Sequence, residues 1–233
     1  MIGVISDVLG IIIGGTIGYL AKRIIPAGWN DIILKGLGLA SIYIGIAGTL
    51  EGENSLILIM SMVFGAMIGE GFQLEQRFNR LAERVEEYFD RKGGSSNFAQ
   101  GFITGSLMMC VGALIVVGSL NAGLKGDNTL LFTKTAIDLI GGIMFAASLG
   151  IGVIFAAGPV LVIECALVGL ASFIAPVLTT GVINEITCVG SLLIVAMGIN
   201  LIADTKLKIM NYMPGVFLPI ILCPLYDWAA GLF

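Results

Sequence analysis

Histidine is absent from the 233 residues, and charged side chains make up only 12% of them, about half the share usual in soluble domains. Without imidazole there is no His-ligated haem or zinc and no Ser-His or Cys-His catalysis. No Ser-Lys dyad is evident, and Asp138 beside Lys134 makes a poor aspartyl dyad, so the chain does not read as an enzyme. No cofactor is implied, and the sequence names no metal. There is also no basic block. The net charge is −4, which argues against nucleic acid, whose binding needs clustered Lys and Arg. The four cysteines, Cys110, Cys165, Cys188 and Cys223, lack CxxC spacing and sit in apolar runs, as small buried hydrophobes do.

Apolar residues are abundant instead. They form 57% of the chain, with 33 glycines and a mean hydropathy of +1.01. That composition describes an all-α polytopic membrane protein whose partner is the lipid bilayer and whose small residues let helices approach closely. Helices are expected because an open segment in lipid has no other way to satisfy its backbone. The apolar runs predict about eight spans, at 2–21, 33–50, 56–71, 98–120, 130–149, 152–174, 186–203 and 215–230. The first lacks a basic n-region and so reads as a retained span. If it enters from outside, ten of the twelve basic residues fall inside, leaving only Lys125 and Lys134 outside, and both termini face out.

The long polar stretch 73–92 spaces Leu74, Phe78, Leu81, Val85 and Phe89 by fours and threes, the pattern of an amphipathic cytoplasmic helix. Its apolar stripe suits packing beside the membrane or a seam between two copies in a homo-oligomer. Gly93 to Ser96 then form a flexible connector.

Two stretches resemble each other. Asn30-Asp31-Ile32 precedes the run from Gly38 to Gly48, as Asn184-Glu185-Ile186 precedes that from Gly190 to Leu201, each behind a proline, Pro26 or Pro176. The first three and last three spans therefore read as one three-helix unit used twice. Five crossings separate their starts, so the two copies are inverted, as in many secondary transporters. Pro214, Pro219 and Pro224 predict a broken last span, and Gly158-Pro159 predicts an interruption in the sixth.

Acids inside the hydrocarbon each need a partner, a cavity or a proton. Asp138 and Glu164 fall at similar depth and are expected to face one cavity, with Lys134 one turn from Asp138 as its local counter-charge. Asn121, Asn184, Glu185 and Asn200 extend the candidate set, which concentrates in spans four to seven. The pattern predicts a small secondary transporter for a cation or small polar solute, with proton coupling open. The alternatives are an ion channel and a non-catalytic scaffold or regulator.

Gly118-Ser119-Leu120-Asn121-Ala122-Gly123-Leu124, Gly126-Asp127, Lys134-Thr135 with Asp138, Leu149 to Val153, Ile183-Asn184-Glu185 and Gly198 to Leu201 carry a resemblance over nearly the whole chain. Together they are similar to the YdfK/YqgA-type integral membrane proteins, a family of unknown function. The resemblance implies a bacterial-type inner-membrane protein and no substrate. Where that family's pattern has Tyr-Gln-Gly, this chain has Ile163-Glu164-Cys165, which marks Glu164 as peculiar to it.

Overall fold

The structure is a computed structural model and describes residues 1–21, 29–77, 79–80, 98–110, 113–203, 205 and 207–230. Most of the expected helix at 73–92, its glycine connector, and Lys22, Arg23 and Pro26 lie outside these residues.

All regular structure among the described residues is helical. The elements are α1 (Ile2–Ala21), α2 (Asn30–Thr49), α3 (Ser55–Gly71), α4 (Phe98–Cys110), α5 (Ala113–Lys125), α6 (Thr129–Leu149), α7 (Ala157–Gly169), the short α8 (Ala171–Ile174), α9 (Thr180–Ala203), the short α10 (Ile209–Tyr212) and α11 (Pro219–Ala230). Tight 3-10 turns, Ile151–Ala156 and Met213–Phe217, lead into α7 and α11.

Five segments are long and apolar enough to cross a membrane, and the number reaches seven if α4 with α5, and α10 with α11, each make one bent span. The expected eight is not reached on these criteria, because α3 has 17 residues, about 25 Å at the helical rise against roughly 30 Å of hydrocarbon.

Two of the expected irregularities differ in detail. The last run bends by 46° beside Pro219, as its prolines lead one to expect. Pro159, however, does not interrupt its helix. It lies in the first turn of α7, where a backbone N–H has no intrahelical acceptor to lose. The break comes earlier, at Gly150, whose φ of 88° and ψ of −157° only glycine adopts easily. The fourth run, expected to be continuous, turns through 57° between α4 and α5.

Glycine faces set the helix pairing. An added Cβ on Gly14 or Gly18 of α1 would overlap the carbonyl oxygens of Leu139 and Ile143 in α6, and one on Gly10 would meet Thr135. The contacts advance together, so α1 and α6 run parallel. In α2, Gly38 faces Gly198 of α9 and Gly45 faces Ser191, an antiparallel register. α3 meets the last run in the same sense, with Gly65 against Gly215 and Gly69 against Asn211. Gly15 lies on Ile154 while Val4 shares a core with Cys165 and Val168, so α1 is also antiparallel to the segment leading through α7.

Polar clamps hold the ends. At the α3 end, Lys208 pairs with Glu70 at 3.0 Å, and Asn211 accepts the Glu75 N–H at 2.8 Å. Before α6, Thr129 donates its hydroxyl and its N–H to Asp127, which holds that carboxyl below its ordinary range.

Candidate functional site

α6 places Lys134 and Asp138 one turn apart on a buried stripe. The close approach of α1 then brings in Asp7, and α7 supplies Glu164. The Lys134 ammonium lies 2.6 Å from Asp7 Oδ2, 2.5 Å from Asp138 Oδ2 and 3.5 Å from Glu164 Oε1. Lys134 and Asp138 are 4% and 6% exposed, and Asp7 and Glu164 are fully buried. Three carboxylates thus share one ammonium deep in the helix bundle. Asp7 Oδ1 and both Glu164 oxygens have no hydrogen-bond donor.

A cavity of about 430 Å³ adjoins this cluster. Lys134 and Asp138 stand on its wall with Thr187 and Ser191 of α9, and it reaches Tyr43 of α2 and the exposed Glu51 in the following loop. Met109 of α4 and Leu114 of α5 line it too, so both arms of the bent fourth run contribute to the wall. Such an arrangement can hold cationic charge, relay protons or admit a small polar solute.

The structure brings Lys134, Asp138 and Glu164 together, but the remaining four sequence candidates do not join them. Asn121 closes the end of α5, where its carbonyl accepts the Asp127 N–H at 3.3 Å. Asn184 reaches Glu53 at 3.5 Å, and Glu185 accepts the N–H groups of Glu53 and Asn54, both at 2.8 Å. Asn200 accepts from Thr205 and from the Leu207 N–H at 2.6 and 2.9 Å. The last three are loop clamps: a polar side chain near a helix end finds unpaired loop backbone before it finds a cavity. Spans four to seven are also too narrow a frame. The cluster takes Asp7 from the first span, and the cavity takes a wall from α2.

Asp7 is the residue the sequence reading missed. Its signal was present, since Asp7, Gly10, Gly14 and Gly18 lie three and four residues apart and share the stripe that packs on α6.

The Glu185 clamp gives a direct expectation. Replacing Glu185 with Ala removes two charge-assisted hydrogen bonds, each contributing about 1.5–3 kcal/mol. The amides of Glu53 and Asn54 should then exchange with deuterium much faster, while those in the middle of α9 keep their protection. Unchanged exchange at Glu53 and Asn54 would show that the loop is held by something else.

These features define a polytopic α-helical membrane protein with a buried, acid-rich charge cluster. The chain belongs to the family described as "Protein of unknown function (DUF554)", whose model matches residues 2–224. It is 30% identical over 223 residues to the "Uncharacterized membrane protein YdfK" of Bacillus subtilis (strain 168), with 94% of each chain covered. It is 27% identical over 221 residues to the "Uncharacterized protein YqgA" of Escherichia coli (strain K12), again covering 94% of each. No solved structure matches it.

Proposed function

We propose that the chain is a small secondary transporter of the cell inner membrane, moving a cation or small polar solute through a site built on Lys134, Asp138, Glu164 and Asp7. One observation carries this reading: three carboxylates converge on a single buried ammonium beside a cavity that reaches an exposed loop. Charge is costly in hydrocarbon, and a pure packing role is served as well by apolar side chains. The cluster is therefore best understood through what it binds.

The pairing of the helices supports eight crossings and an inverted repeat. α1 and α6 are parallel, which requires an even number of crossings over the intervening chain from α1 through α5. That parity follows if α2, α3 and the bent α4–α5 run each cross. A short α3 crosses where the bilayer thins locally. Each of the first three spans also packs antiparallel to its proposed counterpart among the last three, as an in-plane two-fold axis demands. The excess of basic residues on one side supports an orientation with both termini outside, in which Glu51 marks an outward mouth of the cavity.

The test is flux. Purified protein in liposomes, offered a panel of monovalent cations, divalent cations, amines and small polar solutes, should move at least one class faster than protein-free vesicles. No movement across the whole panel would overturn the reading.

A further inference from the structure

The cluster holds more acid than its lysine can neutralise. With Asp7, Asp138, Glu164 and Lys134 all ionised, two negative charges remain unbalanced among residues no more than 6% exposed. Isolated charge is strongly disfavoured there. The geometry shows where the balance is missing: Glu164 is aimed at Lys134, with Oε1 at 3.5 Å, yet neither of its oxygens has a hydrogen-bond donor, nor has Asp7 Oδ1. A carboxyl group that keeps its proton becomes a donor itself. Asp7, Asp138 and Glu164 all lie within 3.5 Å of the one Lys134 ammonium, so the three carboxyls are gathered about a single point and a proton on one has an acceptor close by on the next. A metal ion is a poorer fit, because among the described residues no three acid or thiol side chains are arranged to enclose one.

Access to water is unequal along this series. Asp138 stands on the cavity wall, whereas Asp7 and Glu164 do not and are fully buried. We infer that the cluster is a two-proton store, filled from the cavity through Asp138, relayed by Asp7 and ending at Glu164, and that the proton is the ion coupled to transport. The coupling clause rests on the transport reading above; the store does not.

Each step balances. Hydronium in the cavity gives a proton to the Asp138 carboxylate and leaves water. The Asp138 O–H then breaks as a new O–H forms on Asp7, and the same exchange carries the proton to Glu164. Asp138, again a carboxylate, takes a second proton from hydronium and passes it to Asp7, where it stays, so that Asp138 ends as the carboxylate paired with Lys134. The cluster passes from a charge of −2 to neutrality while Lys134 keeps its own proton. Among the described residues, the other titratable groups facing it are Cys110 of α4 and, across the cavity, Tyr43 and Glu51.

Infrared spectroscopy of the full chain in lipid reads this directly, because carboxylic acid and carboxylate groups absorb at different frequencies. At neutral pH the cluster should contribute two protonated carboxyl groups. Asp7→Asn, Asp138→Asn and Glu164→Gln should each lower that number to one, and Lys134→Met should raise it to three. In Asp138→Asn the remaining acid band should also exchange with deuterium more slowly, by roughly a hundredfold, the low end of what a positioned proton carrier contributes. Should Lys134→Met fail to fold, the three amide variants carry the test. Three ionised carboxylates at neutral pH, or an acid signal unmoved by all three amide variants, would overturn the store. Two stored protons in a protein that moves no solute would leave the store standing and end the transport reading and the coupling. Solute flux with no stored proton would do the reverse to the store.

Discussion

Replacing Lys134 with methionine is expected to destabilise the protein by about 3–5 kcal/mol, the usual consequence of removing one partner of a buried ion pair, because the last ionised carboxyl must then take up a proton. The loss is large because Lys134 is the common counter-charge of Asp7, Asp138 and Glu164. Methionine fills much the same volume, so the effect isolates charge from packing. The double variant Lys134→Met with Asp138→Asn removes one charge of each sign and should recover part of the loss. A fluorescence melt of purified protein in one detergent checks the series. Equal melting temperatures for wild type and Lys134→Met would mean that the acids do not depend on the lysine.

The second large effect belongs to the α1 glycines. Gly14→Leu drives a side chain into the Leu139 carbonyl, where backbone cannot yield without separating the helices. A cost of about 3 kcal/mol, the top of the common range for overpacking, is expected. The consequence reaches the site, since the same helix contact holds Asp7 against Lys134. Asp7→Asn should therefore cost less in a Gly14→Leu background than alone, a coupling that a double-mutant cycle measures. Additive effects would show that the glycine stripe and the charge cluster are independent.

The legible part of the site was local. Lys134 and Asp138 are four residues apart on one helix, so their pairing follows from helical geometry. Glu164 could be placed by depth alone, because antiparallel spans crossing one slab bring equal depths together. Asp7 is five residues into the first span, as deep as Lys134 is in its own, but depth does not say which helix it faces, and only the glycine stripe beside it points to α6. The amides failed for a related reason. α9 begins at Thr180, six residues before the expected span, so Asn184 and Glu185 belong to its first turns and meet the 51–54 loop. Depth counted from hydropathy does not say whether a polar group is taken by a loop. The bend between α4 and α5 carries no proline among its described residues, whereas that beside Pro219 does.

The most direct test of the central claim compares wild type with Asp138→Asn in matched liposomes, after melts have shown both to be folded. Among the described residues, Asp138 is the one acid that both touches Lys134 and lines the cavity. Flux of the transported solute should fall to the protein-free rate in the variant while wild type stays active. Undiminished flux through a folded Asp138→Asn protein would place the pathway elsewhere and contradict the account.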